Sequence, residues 1–154
     1  MTRPDTAGVI APPPIIFLAG ILVGGLLNIG WPLPFVFDVL RWGLTGGLIM
    51  TGLALGLASI WAMRRAQTSV DPFEPSTAIV VTGPYRFSRN PIYLGFGLIS
   101  VGAACGLNSL WIIGLLPLVM VTLHFGVIAR EERYLERKFG ETYLKYKASV
   151  RRWI

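Results

Sequence analysis

Long stretches without a charged side chain constrain this chain more than any other feature. No Asp, Glu, Lys or Arg occurs from Thr6 to Phe37, from Trp42 to Met63, or from Asn90 to Ala129. The composition excludes an ordinary soluble domain, with 53% apolar and only 14% charged residues in 154. Crossing ~30 Å of hydrocarbon takes a helix of roughly 20 residues. Four segments meet or approach that length: Pro14–Ile29, Leu40–Met63, Ile92–Leu107 and Leu110–Ala129. The sequence therefore predicts an all-α, multi-span transmembrane helical bundle whose last two spans form a tight hairpin. It reads as one membrane domain over 1–154, with N-terminal spans (1–63), a loop (64–91), and a hairpin followed by a C-terminal amphipathic helix (92–154). The first and third segments are short, which implies a thinned bilayer, packing inside the bundle or incomplete crossing.

Charge orients the bundle. Arg64, Arg65, Arg86 and Arg89 lie between the second and third spans, and a run of basic residues from Arg130 to Arg152 follows the fourth. The other side offers only Arg41, beside Asp38. The positive-inside bias then puts both termini, the loop and the final helix in the cytoplasm, with a bacterial inner membrane as the expected location. Arg3 is offset by Asp5 and no small-x-small pattern follows the first apolar run, so that run reads as a retained span rather than a cleaved leader. The net charge of +6 suits anionic lipid at about 1 kcal/mol per basic residue, and no nucleic-acid partner is expected. Cys105 and His124 are the only residues of their types. They exclude an internal disulfide and a histidine-box metal site, and no metal is expected.

Local signals divide the chain further. The first nine residues read as a frayed tail, and Pro12-Pro13-Pro14 stiffens the start of the first helix. Gly20/Gly24, Gly43/Gly47 and Gly52/Gly56 are small residues four apart, which permits close helix packing and allows a homodimer through glycine-rich faces. Asn90 and Pro91 read as the cap and first position of the third helix, and Asn108-Ser109 as the cap of the fourth. Gly140 breaks the chain before a final basic, aromatic helix over Glu141–Trp153.

Two groups carry chemistry. Glu132 shares a helical face with Ile128, Leu135 and Phe139, and Glu131 shares one with Val127, Tyr134 and Lys138, so the acid pair falls on the buried half of its helix. A carboxylate at the bilayer centre costs roughly 2.5–3.5 kcal/mol, less at the interface, and needs a partner. A salt bridge to Arg86 or Arg89 is the plain structural reading. The second group is Arg89 at the start of the third helix, where free N–H groups and a guanidinium together suit an anion. Tyr85 and Tyr93 add aromatic faces and hydroxyls. Together these groups suit a ligand with a carboxylate, an ammonium, a flat ring and a positive centre, all present in S-adenosyl-L-methionine.

Two stretches extend the inference. Thr82-Gly83-Pro84-Tyr85-Arg86-Phe87-Ser88-Arg89-Asn90-Pro91-Ile92-Tyr93-Leu94-Gly95 and Glu131-Glu132-Arg133-Tyr134-Leu135-Glu136-Arg137-Lys138-Phe139-Gly140-Glu141-Thr142-Tyr143-Leu144-Lys145-Tyr146, with Asn108-Ser109 between them, resemble the isoprenylcysteine carboxyl methyltransferase and phospholipid methyltransferase superfamily. The resemblance runs from about Thr77 to Trp153. It implies a pocket for S-adenosyl-L-methionine, with S-adenosyl-L-homocysteine as product. It further implies Arg89, Asn90, Pro91, Tyr93, Glu131 and Glu132 in the cofactor site, Gly83, Pro84 and Tyr85 shaping its wall, and Arg89, Glu131 and Glu132 nearest the chemistry. The family usually has Arg-His-Pro where this chain has Arg89-Asn90-Pro91. Asn90 can replace a histidine that caps a helix but not one that acts as a base.

The expected reaction is methyl transfer to a carboxylate, amine or thiol on a lipophilic substrate arriving from the bilayer. The alternative is a non-catalytic membrane protein, either a small-molecule transporter subunit or a degenerate cofactor binder. A transporter should carry ionisable groups at mid-membrane, where only His124 is available. An aspartate-rich phosphotransferase is excluded by the scatter of Asp5, Asp38 and Asp71.

Overall fold

The computed structural model describes residues 5–154. Its helices are α1 (Pro13–Gly30), α2 (Asp38–Arg65), α3 (Pro91–Leu107), α4 (Leu110–Leu123), α5 (Ala129–Phe139) and α6 (Glu141–Ser149). A π-helical turn, His124–Ile128, joins α4 to α5, so Leu110–Phe139 is one continuous helix. No strand occurs among the described residues.

Three helices are long and apolar enough to cross a membrane: α1, α2 and the continuous helix from Leu110. The 17-residue α3 is shorter. At 1.5 Å per residue it reaches only ~25 Å. The helix from Leu110 to Phe139, ~45 Å by the same rise, overshoots the ~30 Å hydrocarbon. Its excess is α5, whose Arg130, Glu131, Glu132 and Arg133 cannot remain in lipid; the membrane-spanning part ends near Ala129. The outward side chains of α1 and α2 suit hydrocarbon: Leu26, Met50 and Leu57 are each about two-thirds exposed.

Two antiparallel pairings organise the bundle, α2 against α3 and α1 against α4, with α3 also touching α1 and α4. Close approach falls at particular glycines. A Cβ on Gly52 would lie 2.6 Å from the Gly95 carbonyl oxygen, and one on Gly24 would lie 2.9 Å from the Ile112 backbone. Gly43 and Gly47 face open space, so they take no part in packing within the chain.

Both capping expectations need correction. Asn90 does precede α3, and its carbonyl accepts the Leu94 N–H at 3.1 Å, but its side chain makes no cap bond. Asn108 ends α3 in the left-handed region (φ 47°), and its Oδ1 accepts the Phe35 and Val36 N–H groups. Ser109 starts α4, but its hydroxyl donates to the Gly24 carbonyl at 3.1 Å instead of capping. The competing partners lie on other helices, which local sequence does not reveal. Arg41 reaches across as well: its Nε and Nη2 donate to the Gly106 carbonyl at 3.0 and 2.6 Å, satisfying the end of α3.

The expected frayed tail is also corrected over 5–9; residues 1–4 lie outside the described region. Val9 is buried, Ile10 N–H donates to the Gly126 carbonyl at 3.1 Å, and Arg130 Nη1 donates to the Gly8 carbonyl at 2.9 Å. The N-terminal strap thus bonds to the π-helical turn at Gly126. Finally, α6 ends at Ser149 rather than Trp153, and residues 150–154 are non-helical.

Candidate functional site

Local chemistry first brings the start of α3 into position. Gly83 adopts φ 59° at the head of a 3-10 turn, Gly83–Arg86, and Pro84 follows it. That turn presents Tyr85, and Pro91 occupies the first position of α3, where its missing N–H is harmless. Arg89, just before the N-cap position, and Tyr93, in the first turn, both reach the start of α5.

There they meet both glutamates. Arg89 Nη1 lies 3.0 Å from Glu132 Oε1, and Tyr93 Oη donates to Glu131 at 2.8 and 3.0 Å from its two oxygens. The two acids differ sharply. Arg152 Nε and Nη2 hold the two oxygens of Glu132 at 2.9 and 2.8 Å, and Lys147 Nζ stands 3.9 Å away. Burial opposes the Glu132 charge, but Arg152, Arg89 and Lys147 outweigh it and hold the carboxyl below its ordinary value. Among the described residues Glu131 has the Tyr93 hydroxyl as its one side-chain partner. Burial, against the lowering effect of that hydroxyl and with the Glu132 charge adding to it, pushes the Glu131 carboxyl up to about 7. One acid is neutralised inside the protein; the other is available.

Glu131 faces a cavity of about 600 Å³, bounded by the α3 start, α5, the end of α2, the strap before α1 and the 69–76 loop. Arg89, Asn90, Pro91, Tyr93 and Tyr85 line it too, with Met63, Ile60 and Phe96 on the apolar side. A second hollow of about 100 Å³ shares Tyr85, Arg89, Asn90 and Glu131, and adds Glu132, Tyr143 and Tyr146. Burial raises the Tyr85 hydroxyl well above its ordinary value and takes Tyr146 up to about 12, so both are neutral donors. Tyr146 donates to the Tyr85 carbonyl at 2.8 Å, fixing that wall. The Nε of Arg89 is buried without a hydrogen-bond partner.

The structure therefore brings Tyr85, Arg89, Asn90, Pro91, Tyr93, Glu131 and Glu132 together. Gly83 and Pro84 are the exception: they line neither hollow and act only by shaping the turn behind Tyr85. Glu132 pairs with Arg89, as the salt-bridge reading expected, and not with Arg86. Sequence reasoning missed Arg152, counted only as membrane-surface charge, together with Tyr143 and Tyr146. The three-residue spacing of those tyrosines, which puts them on one helical face, was the available signal. Asp71 and Glu74 of the loop also line the larger cavity.

Comparison with known proteins agrees with this architecture. A 47-residue stretch, 30% of this chain, is 51% identical to an uncharacterized protein of Haemophilus influenzae, covering 73% of that protein. No solved structure matches. The phospholipid methyltransferase family matches over residues 40–142, more than half of the chain and spanning both glutamates and the start of α3. This protein thus belongs to the phospholipid methyltransferase family, and its helical bundle is that of an integral membrane methyltransferase.

Proposed function

We propose that the chain is an S-adenosyl-L-methionine-dependent methyltransferase whose acceptor is an amine on a lipophilic substrate, reached from the bilayer on the cytoplasmic side. The observation behind this reading is the asymmetry of the two acids, both on the smaller hollow: Glu132 is paired with cations, while Glu131 keeps only a hydroxyl partner among the described residues.

The residues fit the cofactor. A volume of about 600 Å³ is within the range for small-molecule sites. The orphaned Nε of Arg89 supplies a donor for a carboxylate, and Glu131 an acceptor for an ammonium. Tyr85 offers an aromatic face. When bound, S-adenosyl-L-methionine supplies an electrophilic methyl group on a sulfonium.

The chain's own work is binding, desolvation and proton handling. Arg89 is the one cation among the described residues lining the larger cavity, and its Nη1 is paired with Glu132, which leaves Nε for the cofactor carboxylate. Glu131, Asp71 and Glu74 line the same space, so its charge favours a cationic acceptor over a carboxylate. Glu131, with a carboxyl near 7, accepts the proton of an acceptor ammonium and leaves a neutral nitrogen lone pair in the cavity. Ile60, Met63 and Phe96 supply an apolar wall for a lipid chain and limit water.

Calorimetric titration of detergent-purified protein with S-adenosyl-L-homocysteine tests the cofactor. Binding by the wild type, weakened about tenfold by Glu131→Gln, is expected. A folded wild type that binds nothing ends the reading. Mass-shift assays in vesicles carrying either an amine lipid or an isoprenoid carboxylate test the acceptor, with methylation of the amine expected.

A further inference from the structure

Residues 151–153 are tied to the start of α3 at several points that methyl transfer itself does not require. Arg89 N–H donates to the Arg151 carbonyl at 3.0 Å, while Ser88 Oγ and Asn90 Nδ2 donate to the Arg152 carbonyl at 3.2 and 3.0 Å. Trp153 packs against the buried cluster that contains Val9 and Ile128. From this anchored backbone the Arg152 guanidinium extends to both oxygens of Glu132.

The consequence falls on Arg89. A carboxylate and a guanidinium facing each other without competition form a two-point, fork-to-fork pair. Here Arg152 takes that two-point contact with Glu132, and Arg89 meets Glu132 with its Nη1, 3.0 Å from Oε1. Its Nη1 also donates to Tyr143 Oη at 3.3 Å, and its Nε stays buried and unpaired beside the cavity. Remove Arg152, and Glu132 is free to close on Arg89 with both oxygens.

We propose that Arg152 is a positioning residue of the cofactor site: by occupying both oxygens of Glu132 it leaves the Arg89 Nε open to a ligand carboxylate, and Asn90 holds the Arg152 backbone in place. The inference rests on the functional reading above, and it gives Asn90 a clamping role that needs no histidine chemistry.

The test compares S-adenosyl-L-methionine with its decarboxylated analogue, which lacks only the carboxylate, against wild type, Arg152→Ala, Arg152→Lys and Arg152→Ala/Glu132→Gln. Arg152→Ala should weaken S-adenosyl-L-methionine about tenfold and leave the decarboxylated analogue within about twofold. Lysine, which keeps the charge but not the fork, should restore part of the loss, as should the double variant, in which no carboxylate captures Arg89. Equal weakening of both ligands, or none, would overturn the positioning role while leaving the methyltransferase reading intact. A folded wild type that binds neither ligand would overturn both. Hydrogen exchange of the peptide around Arg89 gives a ligand-free readout. Faster exchange in Arg152→Ala at an unchanged global unfolding midpoint supports the clamp, and unchanged exchange counts against it.

Discussion

The hydroxyl of Tyr93 bridges the two carboxylate oxygens of Glu131 at 2.8 and 3.0 Å, although 38 residues separate the pair. The contact joins the first turn of α3 to the first turn of α5, across a hairpin whose own turn lies at the far end of the bundle. Among the described residues it gives a buried acid one neutral donor and no cation. An acid held this way is suited to exchanging a proton or meeting a cationic ligand, not to pinning a helix.

Ligand affinity should therefore depend on pH with a definite sign. Below about 7 the Glu131 carboxyl is protonated and loses its attraction for a cation; above it the carboxylate forms. Affinity for S-adenosyl-L-methionine, read by calorimetry, should rise with pH through about 7, and Glu131→Gln should flatten the profile. The linkage to folding runs the opposite way: a carboxyl raised above its unfolded value favours the fold at low pH, and that contribution is lost as pH rises through about 7.

Tyr93→Phe should move the same profile upward. The hydroxyl lowers the Glu131 carboxyl by bonding to its charged form, so its loss leaves burial and the Glu132 charge to act alone. Ligand binding near neutral pH should weaken while remaining recoverable at higher pH. A profile whose midpoint stays fixed would separate the hydroxyl from Glu131.

Gly52→Ala should destabilise the bundle, and Gly47→Ala should not. The new methyl at 52 would lie 2.6 Å from the Gly95 carbonyl oxygen and 2.8 Å from Ile99 Cγ1, forcing α2 and α3 apart at a cost of about 1–3 kcal/mol. At 47 it meets nothing within 4 Å, and alanine's better helix propensity is worth roughly 0.5–1 kcal/mol in the other direction. Thermal unfolding in one detergent compares the two. If a homodimer does pack on the Gly43/Gly47 face, Gly47→Ala should instead shift the oligomeric state in sedimentation.

Gly126→Ala should release the N-terminal strap. The added methyl would run into the Ile10 side chain, at the point where the Gly126 carbonyl accepts the Ile10 N–H. Because Ala7 and Pro12 form part of the cavity rim, faster proteolysis before α1 should accompany weaker ligand binding. Intact binding with a cleaved strap would show that the rim is dispensable.

Sequence alone established the helical membrane class, because charge-free runs of membrane length have no other stable use. It also singled out the two groups that the structure brings together, since Arg89 with Pro91 at the start of α3, and Glu131 with Glu132 on an apolar stripe, are local patterns with local physical causes. Partnership was not legible. Asn90 and Ser109 stand in cap positions, yet their side chains bond to Arg152 and Gly24, because a buried donor takes the nearest acceptor whatever its distance along the chain. The two adjacent glutamates look equivalent in sequence. Only the tertiary structure assigned three cations to Glu132 and a single hydroxyl to Glu131, because ion pairing depends on distances of a few ångströms between segments that helix periodicity cannot bring into register.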